Sequence, residues 1–212
     1  WDLLIQRPTL VAFKNSALYA ILTTIVSFGL GYFLAYQIKR SRIKNKLVIM
    51  TIIVLPMWSN LLLRVGGLLN IMKENNILES LLGINPLGSI HGTWMAILIG
   101  LIITYMPFMI LPVYTALEKI DISLEEASLD LGLTPFKTFW KVIFPLSFKG
   151  VVTGSIMVFL PTFAGFAIPY LLSEGQTLFI GNMINDRFIA TNYNLGSLLS
   201  VIILVIILGS LL

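Results

Sequence analysis

The sequence predicts an all-α integral membrane protein, on three observations. Charged residues make up 11% of the 212-residue chain, against about 25% in soluble domains. Apolar residues make up 57% and the mean hydropathy is +0.93, more apolar surface than a soluble core of this size hides. These residues fall in long runs free of Asp, Glu, Lys and Arg, without the strict alternation that builds a membrane barrel.

In chain order, spans are expected over 15–38, 47–66, 92–117, 150–172 and 190–212. About 20 apolar residues cross a hydrocarbon core. Asn15–Ile38 supplies 24 uncharged residues, Gly92–Leu117 supplies 26, Gly150–Ser173 supplies 24 and Phe188–Leu212 supplies 25. Leu47–Leu63 has only 17 and carries Pro56, Ser59 and Asn60, so it is expected to continue past Arg64 inside a helix bundle. Asp2–Lys14 reads as a weakly amphipathic outer segment leading into the first span, and no cleavable signal peptide is visible. The chain opens at Trp1 without a methionine and closes at Leu212 within an apolar run, so a helix upstream and a further C-terminal end are expected.

Orientation follows from the basic residues. Lys39, Arg40, Arg42, Lys44, Lys46, Lys119, Lys137, Lys141 and Lys149 are nine of the fourteen, all on one side of a five-span bundle. Loops 39–46 and 118–149 are therefore expected in the cytoplasm, and 1–14, 65–91 and 174–187 outside. The net charge of +4 marks membrane orientation; no nucleic-acid partner is expected.

Residues 118–147 are longer than a helix hairpin needs and carry helix signals of their own. Ser123-Leu124-Glu125-Glu126 reads as a capping box, with Ser123 as N-cap and Glu126 three residues into the helix. Gly132 supplies a left-handed stop, and Thr134-Pro135 restarts a helix whose apolar face is Phe136, Phe139, Trp140 and Ile143, before Pro145. Two short amphipathic helices of this kind form either a docking element or a pair lying on lipid headgroups.

Glu126-Ala127-Ser128, then Gly132, then Val142-Ile143-Phe144-Pro145 resembles the EAA loop of ABC importer permeases. There Glu-Ala-Ala is followed by three residues, Gly, nine residues and Ile-x-Leu-Pro; Ser128, Val142 and Phe144 depart conservatively. The resemblance implies a bacterial inner-membrane permease of the six-helix type I architecture, with five helices visible here. It implies that Glu126, Ala127, Ser128, Gly132, Pro135 and Pro145 belong to a coupling loop seated in a groove of an ATPase subunit. Further blocks, Leu55–Ser59 with Arg64, Asp130–Gly132, Gly150–Phe159, Phe179–Asn182 and Asn194–Ser197, resemble the polyamine (spermidine/putrescine) importers of that class. Their order is most like the first of the two permease subunits.

What the sequence lacks bounds the chemistry. It holds no cysteine, one histidine (His91), and no Gly-x4-Gly-Lys-Ser/Thr cradle for nucleotide phosphates. No span carries an Asp or Glu, whereas ion-coupled carriers usually hold an intramembrane carboxylate. Neither a catalytic constellation nor a metal cluster is present in the sequence, so no cofactor is expected in this chain. ATP and Mg are expected on a partner subunit.

The candidate path residues each read two ways. Phe159, Phe163, Phe166 and Tyr170 share one face of the fourth span, as a packing ridge or as a cavity wall where amines ride over ring faces. Pro161, Gly165 and Pro169 interrupt the same span. Trp58, Trp94 and Tyr105 could add to such a wall; the two tryptophans equally suit interfacial anchors. Arg64 either snorkels outward or makes a fixed contact within the bundle. Glu174 and Asp186 either pair with substrate ammonium groups or are solvated loop charges. Gly150 and Gly154 read as a helix-packing contact, and His91 is assigned no role.

The functional expectation is a permease subunit of an ATP-driven importer for a polyamine delivered by an external binding protein. Its expected partners are ATPase subunits, a second permease and membrane lipid. The alternatives are a permease for iron, thiamine, phosphonate or sulfate within the same class, or a secondary carrier or scaffold subunit from another. An anion path should be lined with basic groups, and only Arg64 is placed for that.

Overall fold

The computed structural model describes residues 7–73, 83 and 90–211, all in helices and their connections. Asp2–Gln6 of the expected outer segment, 74–82 and 84–89 of the expected outer loop, and Leu212 lie outside the described residues. The helices are α1 (Arg7–Arg40), α2 (Lys46–Val54, extended by a 3-10 turn Leu55–Trp58), α3 (Leu61–Met72), α4 (Trp94–Glu118) and α5 (Ile122–Asp130). Then come α6 (Pro135–Ala164), α7 (Ala167–Leu172), α8 (Ile180–Ile189) and α9 (Tyr193–Leu211).

With 34, 25 and 30 residues, α1, α4 and α6 are long and apolar enough to cross a membrane. At about 1.5 Å per residue α1 is near 50 Å long, well beyond the hydrocarbon core. It takes in Arg7–Lys14, which the sequence reading placed before the span, because nothing there breaks a helix. Lys39 and Arg40 close it at the end where the helix dipole favours cations. Tyr193–Val205 of α9 is a shorter apolar stretch within the range read as the fifth span.

Two expected spans are broken. The second is not one helix over 47–66: α2 with its 3-10 turn meets α3 at a bend of 94°. Pro56 cannot continue the helical ladder, and Asn60 caps a new helix by accepting a hydrogen bond from the Leu62 N–H at 2.8 Å. In the fourth, α6 ends at Ala164, Phe166 leaves helical geometry (φ −125°, ψ −33°) and α7 restarts at Ala167. The loop helix before that span also differs from expectation. Pro145 does not end it, because α6 runs unbroken from Pro135 through a π turn at Phe139–Ile143. The wider turn accommodates a proline that would otherwise face the carbonyl four residues back.

The chain packs as two compact units, described separately. One comprises Trp1–Thr23, Ser59–Ile103 and Phe159–Leu212; the other comprises Thr24–Trp58 and Thr104–Val158. In the first, Ala20, Phe163, Ile180 and Ile203 form a core with Phe13 and Phe159 against it. The Ile180 N–H donates to buried Ser16 Oγ at 3.0 Å, and Asn15 Nδ2 donates to the Leu178 carbonyl at 3.0 Å. These bonds tie α1 to the entry of α8 and satisfy an orphan amide of its first turn.

The second unit is built on Tyr32, Ala35, Met109, Ile110, Val113 and Ile143. Apolar burial does not drive helix association in lipid, so close packing and buried polar contacts carry it. Tyr32 OH and Ser147 Oγ meet at 2.8 Å inside this core. A Cβ at Gly150 would lie 2.6 Å from the Pro112 carbonyl oxygen, and one at Gly154 2.8 Å from Met109 Sδ. Both glycines let α6 press against α4, in the packing role the sequence suggested.

Candidate functional site

The most built-up surface feature is the loop from Lys119 to the start of α6. Its first helix begins two residues earlier than the capping-box reading had it. Asp121, not Ser123, is the N-cap, with Oδ1 accepting from the Ser123 N–H at 2.9 Å, and Glu126 is not the third residue of the helix. A carboxylate at a helix N-terminus is favoured by both the free amides and the dipole, so it outcompetes the serine hydroxyl. The hydrogen bonds from Ser123 hold the Asp121 carboxyl below the ordinary carboxylate range.

The other end of α5 follows the sequence reading. Gly132 has φ +84°; its N–H donates to Leu129 O at 2.9 Å, and the Leu133 N–H reaches back to Ser128 O at 3.1 Å. This doubly bonded stop requires a left-handed residue, which glycine supplies without strain. Thr134 then caps α6, its Oγ1 accepting from the Lys137 N–H at 3.4 Å, with Pro135 in the first position.

One buried contact joins these helices directly, and basic side chains from the end of α1 and the start of α2 brace the loop. Ser128 Oγ donates to the Glu125 carbonyl at 2.7 Å, and the Ser128 and Thr138 hydroxyls hydrogen-bond at 2.9 Å in a buried position. From the end of α1, Arg40 Nη1 lies 3.4 Å from Glu125 Oε1 while donating to Tyr36 OH at 2.6 Å. Lys39 Nζ donates to the Ile120 carbonyl at 3.3 Å, and Lys46 Nζ donates to the Lys39 carbonyl. The basic loop that set orientation in the sequence thus also braces the helical loop. Nothing in the sequence spacing signalled that.

The outer surface of the loop carries large exposed apolar side chains among exposed charges at Asp121, Glu126, Asp130, Lys137 and Lys141. Leu131 is 85% exposed and Phe136 74%, and Ile122, Leu124, Leu129 and Trp140 are exposed as well, beside exposed Glu126, Ala127 and Pro135. Pro145 is also exposed, while Ser128 is turned inward. Several large apolar side chains exposed on one short helix pair are suited to a partner.

The aromatic series is divided by the break at Phe166. Phe163 is 3% exposed, stacked on Phe159 at 5.8 Å and edge-on to Phe13 at 5.4 Å, so these two rings pack. Phe166 and Tyr170 are exposed. The four therefore do not form one face of one helix, because the helix that would align them ends at Ala164. Trp58 is 86% exposed and Trp94 is exposed too, whereas Tyr105 packs beside Phe108 at 6.2 Å. Arg64 is half-buried on α3.

Glu174 is not simply a solvated charge. Its Oε1 is 3.4 Å from His91 Nδ1, and it holds φ +53° next to Gly175 at +75°. Gly92 N–H bonds to Leu172 O at 3.1 Å beside this pair. No spacing pattern marks His91, because the residue it meets lies 83 positions away. Asp186 is exposed on α8.

A helical, membrane-crossing chain with a braced, apolar-faced loop between two spans has the form of an importer permease. Residues 9–212 match the family of binding-protein-dependent transport system inner membrane components, and the chain belongs to that family. It is 36% identical, over 88% of its length and 67% of the relative's, to the spermidine/putrescine transport system permease protein PotB of Haemophilus influenzae. With PotB of Escherichia coli strain K12 it shares 32% identity over 80% of its own length and 63% of the relative's. The chain thus spans about two thirds of the curated relatives it matches. A chain in the crystal structure of a bacterial ABC transporter involved in the import of the acidic polysaccharide alginate is similar in fold. The TM-score is 0.79 at 16% identity, covering 98% of this chain and 78% of the other.

Proposed function

We propose that the chain is the membrane permease subunit of an ATP-driven importer that translocates a polyamine handed over by an external binding protein. The observation that carries the substrate is the similarity to two polyamine permeases over most of the chain. An aliphatic polycation also suits a chain whose spans hold no carboxylate needing ion coupling and whose aromatic side chains Phe166 and Tyr170 are exposed.

ATP and Mg bind a separate ATPase subunit in this reading. The loop of α5 and the start of α6 seats in that subunit from the cytoplasmic side, through Glu126, Ala127, Gly132, Pro135 and the exposed apolar patch. Nucleotide-driven movement of the ATPase then tilts the permease helices between inward- and outward-facing states. A second permease subunit completes the path.

The test is uptake of labelled spermidine by cells lacking their own polyamine uptake, expressing this protein with its partner subunits. Uptake should depend on ATP and be competed by putrescine but not by sulfate, thiamine, phosphonate or iron. Uptake that collapses with the proton gradient while ATP is maintained would sink the reading in favour of a secondary carrier. Competition by one of the other solutes would move the substrate and keep the class.

A further inference from the structure

A cavity of about 520 Å³ opens between the end of α4, the start of α5 and the first turns of the span in α6. That is within the roughly 300–1,000 Å³ range of small-ligand sites. It is lined by Pro112, Ala116, Ile120, Leu146 and Gly150, by Leu124, which it shares with the exposed apolar side chains of the loop, and by the two exposed lysines Lys119 and Lys149. The shape follows from the packing already described. Gly150 draws α6 onto α4 at Pro112, and the small side chains beside that contact leave a trough open at the surface.

The charge of this trough is one-sided. Both lysines are exposed, neither ammonium has a hydrogen bond or ion pair among the described residues, and no acidic residue lines the cavity. The nearest acid in sequence, Glu118, is engaged by Tyr114 OH at 3.0 Å. The two hydroxyls on the wall are spent on their own helices: Thr115 donates to Leu111 O and Thr153 to Lys149 O, each at 2.9 Å. The trough therefore offers two cations at its mouth and apolar surface below them. Lys119 follows the last turn of a span, and Lys149 precedes the uncharged run of another, so both stand at headgroup level.

We infer that this trough is a binding site for an anionic phospholipid, with the phosphate between Lys119 and Lys149 and an acyl chain along Pro112, Ala116 and Gly150. A soluble anion would use the lysines but gain nothing from the walls. An uncharged lipid would use the walls and leave both ammonium groups without a counter-charge. Each lysine near an anionic surface contributes roughly a fivefold gain in binding, so the pair contributes about twenty-five-fold.

The test uses the full chain in phosphatidylcholine vesicles containing a minor fraction of phosphatidylglycerol with a photoreactive acyl chain, crosslinks being mapped by mass spectrometry. Crosslinks should concentrate on α4 and α6 around Pro112 and Gly150. The Lys119→Gln/Lys149→Gln pair should lower their yield about twenty-five-fold, while an equal charge loss at Arg42→Gln/Lys44→Gln should not. Thr153→Trp, at an exposed wall position, should lower the yield with both lysines in place. Thermal midpoints unchanged from the parent would show each variant folded. Equal yield in the lysine pair, an equal fall in the control pair, or equal labelling by a phosphatidylcholine probe overturns the site. Loss of crosslinking on adding glycerol phosphate also overturns it, assigning the lysines to a soluble anion.

Discussion

Ser128 and Thr138, ten positions apart, meet hydroxyl to hydroxyl at 2.9 Å in the buried angle between α5 and α6. The hydroxyl of Ser128 is what makes this cross-link possible, since the alanine of the motif it resembles would leave Thr138 without it. Ser128→Ala strands the Thr138 hydroxyl and should cost about 1–3 kcal/mol of local stability. The Ser128→Ala/Thr138→Val double variant should recover most of it, since neither polar group is then left buried alone. Thermal unfolding of the four members of the cycle decides this, and additive losses would show that the hydroxyls are not coupled.

Gly132→Val places a β-branched residue at φ +84°. No atom lies within 4 Å of the added Cβ, so the penalty is backbone strain alone, about 1–2 kcal/mol. Membrane insertion should survive, but co-purification with the ATPase and stimulation of its turnover should fall. Gly132→Asn should retain most of both. Transport at the parental rate in the valine variant would remove Gly132 from the coupling bend.

The Arg40–Glu125 pair should behave as a modest, salt-sensitive brace. Arg40 is half exposed, so Glu125→Gln should cost under about 1 kcal/mol, shrinking further at high ionic strength. Hydrogen exchange in Ile122–Asp130 measures it. A loss unaffected by salt would mean that packing, not charge, holds the loop.

Phe163→Leu should act on assembly rather than on substrate, because that ring is enclosed between Phe13 and Phe159. Tyr170→Leu removes an exposed ring and should weaken polyamine uptake several-fold, as a cation–π contact of about 0.5–2 kcal/mol implies, with complex yield unchanged. Labelled spermidine uptake, normalised to purified complex, separates the two. Unchanged uptake in Tyr170→Leu would leave the path without an aromatic wall at this position.

Orientation is open to cysteine labelling, since the chain has no cysteine of its own. An impermeant thiol reagent added to intact cells should label Gln176→Cys and spare Thr134→Cys, both at exposed positions. The reverse pattern would put the helical loop outside and end the docking proposal.

The helical class was readable because uncharged runs of span length leave few other solutions, and Gly132, Thr134 and Pro135 were readable because local backbone chemistry sets them. Breaks inside apolar runs were signalled by Pro56, Ser59 and Asn60 in one span and by Pro161, Gly165 and Pro169 in the other, but their positions and angles were not readable. Nothing in composition separates a tolerated proline, such as Pro107 or Pro112 inside α4, from Pro56, where the helix gives way to a bend. The aromatic spacing from Phe159 to Tyr170 aligns the rings only if the helix carries on past Pro161, Gly165 and Pro169, and the break at Phe166 cancels that geometry. The partners of Ser128, Glu125 and His91 were invisible because tertiary packing chooses them.

The π turn at Phe139–Ile143 gives the loop a mechanical asymmetry. α6 runs as one helix from Pro135 into the span, although Pro145 brings no N–H to its ladder, so a displacement of Phe136 is carried along the same helix toward Lys149. On the other side the backbone reverses at Gly132 and Leu133 between two capped helices, so α6 is continuous with the span while α5 reaches it only through a turn.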